Sequence, residues 1–395
     1  MKKLLSPPPP PLSLHHPIIM LNDNHLGSLI HFRGDVIRAL LDSGYSIYII
    51  APMNKTDKRV LFEKAKLFPI ELDRTSVSIY SNLKYLIQTF RILRKNRPEV
   101  LINYTIKPIL AGSIISYFLG IPSVSFFAGV NSSISKLLTG KDFKSKLFKP
   151  LCRAILSVNK YNVFLNKEDL ELMTECGIIN KEKTILFNGG EGVNVSQYLP
   201  SDKKNEKTEK LKLVMVARVL KTKGYNEFAC ASLKCKNIHD LNAEFYLCGG
   251  IDTVHPERVD IDKIKADEKL GGFKYMGHLN NLKEFLSDAD CVILPSYYNE
   301  GMNRSLMEAL SMGIPIITTN NRGCRELVKD GVTGFIIPPQ DPMALYDAIV
   351  KFLSLSPDKR KSMRQESRLY ALERFDVRQV IENYKIIIDK SINAK

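Results

Sequence analysis

Short apolar runs alternate along this chain with longer stretches of helical periodicity, and the alternation restarts after a charged break near residue 200. PIIMLND (residues 17–23) reads as a strand, and a polar loop with Gly27 and Ser28 follows. IHFRGDVIRALLDSG (residues 30–44) then has an amphipathic helical pattern closed by Gly44. YSIYIIAP is the next strand, and the βα rhythm continues through VLINYT, KPILAGSIISYFLG, PSVSFFAG and YNVFLN. Such alternation predicts a parallel, doubly wound sheet.

ILFNGGEGVNVSQYLP (residues 185–200) brings glycines and a turn, and SDKKNEKTEK after it marks a hinge. The second half restarts with LKLVMVA and runs through EFYLCGG, FKYMGH and CVILPSY. It closes with a helix capped by Asp341, with Pro342 at the first helical position. The expected division is a disordered tail (1–16), a first Rossmann-like domain (17–190), a second (191–376) and a terminal helix (377–395).

NEGMNRSLMEAL (residues 299–310) follows the strand CVILPSYY and runs into a helix ending at Gly313. Ligands of open α/β sheets bind beyond the carboxyl ends of strands, where a starting helix directs unpaired N–H groups at anions. Glu300 sits in the loop and can accept hydrogen bonds from sugar hydroxyls, and Glu308, about two turns into the helix, can reach a ribose diol. By themselves the two carboxylates are better read as an ordinary helix former (Glu308) and an N-terminal charge favourable to the helix dipole (Glu300).

PSYYNEGMNRSLMEALSMGIPIITTNNRGCRELVKDGVTGFIIPPQD (residues 295–341) resembles the donor-binding core of the family-4 retaining glycosyltransferases. The match includes the paired Glu300 and Glu308, Gly313 and Pro315, Gly323 with Glu326, and the Asp330-Gly331 turn with Gly334. ARVLKTKGYNEF supplies Arg218 and Lys223, which match the basic pair that contacts the donor diphosphate in that family. The resemblance implies the GT-B fold, two Rossmann-like doubly wound α/β domains facing an interdomain cleft, with a final helix crossing back onto the first domain.

It also implies a nucleotide-sugar donor, preferably UDP-linked. Arg218, Lys223 and Glu300 are the expected catalytic set. Gly27, Ser28, Gly249, Gly250, His278, Gly301, Met302, Asn303, Arg304, Ser305, Leu306 and Glu308 are expected around the donor. The implied mechanism is front-face attack, with the leaving phosphate helping to take the acceptor proton. No metal or other cofactor is expected, since Asp288-Ala289-Asp290, despite its Asp-x-Asp form, falls between a helix and a strand where capping or strand-edge aspartates belong.

The formal net charge of +15 calls for an acidic partner. Between residues 136 and 153, Lys136, Lys141, Lys144, Lys146, Lys149 and Arg153 alternate with Leu137, Leu138, Phe143, Leu147, Phe148 and Leu151, a pattern expected of a segment lying on an anionic membrane surface. The other reading is a surface helix whose apolar stripe packs on its own domain. No paired zinc ligands or aromatic RNP run points to nucleic acid. The seven cysteines lack a CxxC pair and read as reduced, buried thiols of the cytoplasm. No apolar run is long enough to span a bilayer; with the 136–153 pattern, the resemblance implies a cytoplasmic protein peripheral on the inner face of the cell membrane.

For the acceptor, IHFRGDVI with His31 and Arg33, INYTIKPILAG with Lys107, and SFFAGVNSSIS with Asn131 are similar to a branch of family 4. That branch adds a hexose or N-acetylhexosamine to an undecaprenyl-diphosphate-linked sugar and includes α-1,3-N-acetylgalactosaminyltransferases. Many family-4 enzymes carry a His near the reacting sugar; SVSFFAGVNSS has none, and Asn131 is the substitute considered. Arg33 and Lys107 are read either as contacts to the lipid diphosphate or as surface or interdomain charges. A soluble or protein acceptor, or a protein that only binds sugar nucleotides, are the alternatives.

Overall fold

The computed structural model describes residues 16–53, 64–72, 78–130, 132–201, 210–237, 242–253, 255–298 and 301–393. Glu300, Asn131, the tail before residue 16 and most of the charged stretch at the hinge lie outside the described residues.

The first sheet holds β1 (Ile18–Asn22), β2 (Ser46–Ala51), β3 (Lys66–Pro69), β4 (Val100–Tyr104), β5 (Ser123–Phe127), β6 (Tyr161–Phe164) and β7 (Thr184–Leu186), in the order β3-β2-β1-β4-β5-β6-β7. β1 pairs in parallel with β2 and β4, so the chain reverses its direction of winding between β1 and β4. Its helices are α1 (Leu26–Asp42), α2 (Ile79–Asn96), α3 (Ile106–Leu119), α4 (Ser132–Thr139), α5 (Phe143–Ser157) and α6 (Lys167–Glu175). β4 and β5 are buried throughout, as expected of central strands covered on both faces.

The second sheet contains β8 (Leu211–Val216), β9 (Ala243–Cys248), β10 (Lys274–Gly277), β11 (Cys291–Leu294), β12 (Ile316–Thr319) and β13 (Gly334–Ile337), in the order β10-β9-β8-β11-β12-β13. All its pairings are parallel. The accompanying helices are α7 (Tyr225–Lys236), α8 (Ile261–Lys269), α9 (Leu282–Leu286), α10 (Arg304–Ser311), α11 (Pro342–Leu353), α12 (Pro357–Arg374) and α13 (Val377–Ile392).

Two compact units emerge. One comprises residues 1–126, 152–162 and 383–395, the other residues 127–151 and 163–382. In the first, Tyr384 of α13 stacks on Phe126 at 4.6 Å between ring centroids. In the second, one continuous apolar core runs from Leu213 and Val214 through Ile293, Leu306 and Ile317 to Phe352 and Phe375.

Three sequence expectations need correction. α1 begins at Leu26 rather than Ile30, because the His25 ring accepts from the Ser28 N–H at 2.9 Å and caps the helix. Gly27 and Ser28 therefore lie in its first turn, not in a loop. Residues 136–153 do not form one segment: α4 ends at Thr139 and α5 starts at Phe143, with Gly140 to Asp142 between them. The second half also contains α12, which was not anticipated; Ser356 caps it and Pro357 occupies its first turn.

Candidate active site

β8 delivers the first basic residue. The Ala217 N–H donates to the Cys248 carbonyl and the Val219 N–H to the Gly250 carbonyl, both at 3.1 Å, so Arg218 leaves the sheet beside the Gly249–Gly250 bend. Gly249 is a packing requirement as well as a turn, since a Cβ there would lie 1.7 Å from the Ala217 oxygen. Arg218 is half exposed and donates through Nη1 to the Asp252 carboxylate at 2.8 Å. Asp252 is a partner that the sequence pattern did not indicate.

Lys221–Lys223 form one 3₁₀ turn, closed by Gly224 at φ +86°. A Cβ on Gly224 would lie 2.3 Å from the Pro295 oxygen, so only glycine lets this turn sit against the exit of β11. The Tyr297 N–H donates to the Thr222 carbonyl at 2.9 Å and fixes the pair. Lys223 is buried, with its ammonium 5.1 Å from the Tyr298 ring centroid, a cation–π contact at the end of the strand that precedes Glu300.

α10 starts where the helical periodicity of SLMEALSMG placed a helix. Asn303 caps it, its Oδ1 accepting from the Leu306 N–H at 3.2 Å and from the Ser305 hydroxyl at 2.7 Å. Ser305 Oγ also lies 3.1 Å from the Val216 carbonyl, which ties the helix start to the end of β8. Glu308 is buried about one turn into the helix, not two, and its Oε1 accepts from Arg304 Nε at 2.9 Å. The Asn303 N–H, one of the donors expected to face a diphosphate, is taken by the Gly323 carbonyl at 3.2 Å.

The segment after β5 meets this same loop. The Gly301 N–H donates to the Ala128 carbonyl at 2.9 Å, and a Cβ on Gly301 would come within 2.4 Å of that oxygen. Met302 packs on Gly190. The Val130 N–H donates to Asp169 Oδ2 at 3.0 Å, while Asp169 Oδ1 lies 3.4 Å from Arg322 Nη1. Arg322 immediately precedes Gly323, so Asp169 links the stretch leading to Asn131 with the loop that holds the start of α10. Burial is the largest influence on Asp169 and raises its carboxyl above the ordinary value; the Asn166 and Val130 donors and Arg322 oppose the rise. Alongside, Glu168 pairs with Arg325 at 3.0 Å and Glu326 with Arg374 at 2.9 Å. Glu326 is also raised, first by burial and then by neighbouring Glu168. Asn166 and Asp169 show capping spacing in the sequence, but nothing there indicates their distant partners.

The reversal between β1 and β4 carries a polar cluster. Asn22 Nδ2 donates to Asn103 Oδ1 at 2.9 Å, and the Tyr85 hydroxyl donates to Asn22 Oδ1 at 3.0 Å. Arg33 is buried rather than at a surface, 3.6 Å from Asp23 and 3.9 Å over the Tyr104 ring, so its charge is already met inside the first unit. Lys107 is half-buried in the first turn of α3, and His31 is exposed with its ring edge-on to Phe32. His278 is exposed after Gly277.

Asp290 accepts from the Lys212 N–H at 2.9 Å and Asp288 pairs with the Lys212 amine at 2.6 Å, the strand-edge role expected of them. Among the described residues no group of three His, Cys, Asp or Glu is placed to hold a metal ion. No described helix is long and apolar enough to cross a membrane. On α5, Phe143, Leu147 and Leu151 are exposed, so this stripe does not pack on its own unit.

Residues 200–370 match the family glycosyl transferases group 1. Over 385 residues, 93% of this chain and 98% of the relative, the sequence is 24% identical to N,N'-diacetylbacillosaminyl-diphospho-undecaprenol alpha-1,3-N-acetylgalactosaminyltransferase of Campylobacter jejuni. A glycosyltransferase from Rickettsia africae superposes with a TM-score of 0.77 at 17% identity, covering 96% of this chain and 100% of that one. Anabaena HepE in complex with UDP superposes with a TM-score of 0.74 at 16% identity, covering 95% and 100%. The two-sheet α/β fold is that of the GT-B glycosyltransferases.

Proposed function

Given a GT-B chain whose residues 200–370 match the group 1 glycosyltransferases, we propose that it moves a hexose or N-acetylhexosamine from a UDP sugar to a polyprenyl-diphosphate-linked saccharide. The transfer retains anomeric configuration, needs no metal, and serves bacterial surface glycan assembly at the inner face of the cell membrane. The observations that carry this reading are the Lys221–Lys223 turn fixed against the exit of β11, with buried Lys223 beside Tyr298, and the Asn303-capped start of α10 with its Arg304–Glu308 pair. The Campylobacter relative supports the lipid-diphosphate acceptor, and HepE supports UDP.

As the donor's glycosidic bond breaks, negative charge grows on the leaving diphosphate and the anomeric carbon gains oxocarbenium character. Lys223 and Arg218 neutralise that diphosphate, with Arg218 exchanging Asp252 for phosphate oxygens. The first turn of α10 adds its dipole. Glu308 accepts from the ribose, Arg304 fixing its orientation, and Glu300 positions the sugar. The acceptor hydroxyl attacks from the face the diphosphate leaves, and the departing phosphate oxygen takes its proton. The exposed Phe143, Leu147 and Leu151 of α5, with Lys144, Lys146 and Arg153, hold the protein on the membrane.

The test is a thermal-shift screen against UDP, GDP, ADP and UDP sugars, followed by transfer to a polyprenyl-diphosphate-linked sugar with the product anomer read by NMR. Ligand at 100 times its dissociation constant stabilises by about 2.7 kcal/mol, enough to move a melting curve by several degrees. A UDP-specific shift lost in Lys223→Ala and Glu308→Ala is expected. Transfer only to a soluble sugar would replace the lipid acceptor, and a shift without turnover would leave a binding protein.

A further inference from the structure

α2 is apolar on two faces. Its inward face places Tyr85 and Leu93 in the core with Met20, Ile50 and Leu101, and Leu86 and Ile92 pack at the margin. Its outward face carries Tyr80, Leu83, Ile87 and Phe90, spaced three or four apart on one stripe and exposed by 77%, 52%, 42% and 37%. A helix whose single task is to cover a sheet shows polar residues there. The stripe runs into a cationic end, because Arg91, Arg94 and Lys95 are exposed in the last turns. At that end Arg97 donates to the Leu119 carbonyl at 2.8 Å, which brings the last turn of α3 alongside with Tyr117 and Phe118 exposed by 64% and 77%. A groove of about 620 Å³ lies between, floored by Leu86, Ile87, Phe90 and Ile115 and edged by the three cations.

Large aromatic and aliphatic side chains standing in water beside a block of positive charge suit a surface that is apolar within and anionic at its boundary. We propose that the outer face of α2, with Tyr117 and Phe118 of α3, docks on the anionic lipid leaflet, the apolar stripe inserting among acyl chains while Arg91, Arg94 and Lys95 meet lipid phosphates. Charge decides against a second copy of this chain as the occupant. A second copy would bring three more exposed cations and another molecule of net charge +15 onto this already cationic face. The contact is distinct from α5 and requires neither donor nor acceptor, so its failure and that of the proposed reaction are separable.

Flotation with vesicles of equimolar phosphatidylglycerol and phosphatidylcholine, and of phosphatidylcholine alone, tests it on the full chain. The wild-type protein is expected to bind the anionic vesicles and to release as salt rises. Tyr80→Ser with Leu83→Ser, at the two most exposed positions of the stripe, should lower partitioning by at least about tenfold while leaving the melting temperature unchanged. Arg91→Gln, Arg94→Gln and Lys95→Gln together should lower it by on the order of 100-fold at low salt. A Phe143→Ser, Leu147→Ser variant of α5 should leave this α2-dependent part in place. Unchanged vesicle binding in both folded α2 variants would overturn the proposal. So would light scattering that shows a wild-type dimer converted to monomer by Tyr80→Ser with Leu83→Ser.

Discussion

Single atoms set the site. Gly224→Ala would force a Cβ against Pro295 at a backbone angle reserved for glycine, so a destabilisation of about 1–3 kcal/mol is expected from chemical denaturation, with nucleotide binding weakened further as Lys223 shifts. Glu227, buried on α7 with Oε2 unpartnered, behaves differently. Burial raises its carboxyl above the ordinary 4.5, so the folded chain holds that proton more tightly than the unfolded one. The stability it contributes is therefore present in acid and is lost as pH climbs from 4.5 through the folded value. Glu227→Gln should melt at least about 2 °C higher than wild type at neutral pH, and the difference should vanish in acid; melting curves across pH measure both.

Between elements, the link from α6 to the loop after β12 is one of unequal partners. Asp169 is nearly fully buried and Arg322 is about a quarter exposed. Arg322→Ala leaves Asp169 Oδ1 buried without its ion-pair partner, and a loss of about 1–3 kcal/mol in urea unfolding is expected, whereas Asp169→Asn removes the charge and keeps an oxygen for the Asn166 and Val130 donors at smaller cost. A double-mutant cycle should return a coupling of about 0.5–3 kcal/mol. If the link also holds the start of α10 through Gly323 and Asn303, kcat should fall in Asp169→Asn while the donor's thermal shift remains.

Across the whole molecule, the seven cysteines are free and five are buried. Burial pushes the Cys152 thiol up to about 11 and Cys235 and Cys248 up to about 12, so these do not ionise near neutrality. Exposed Cys230 should react first with a thiol reagent, the buried five only on unfolding, and reductant should leave the melting temperature unchanged. Much of the architecture was legible beforehand, for local reasons. The apolar alternation marked both parallel sheets; the Asp341-Pro342 pair marked the start of α11; and residues 295–341 marked the strand-loop-helix turn, since glycines demanded by steric contact and a side-chain cap are written into neighbouring residues. What remained hidden depends on residues far apart in the chain. His25 as the cap of α1, the interior position of Arg33 over Tyr104, the Asp252 partner of Arg218, the Asp169–Arg322 link and the bare outer face of α2 follow no local rule. Periodicity and turn chemistry are properties of short segments, so sequence alone determined the sheets and the motif; which charges meet and which apolar faces stay uncovered is decided only when packing sets distant segments side by side.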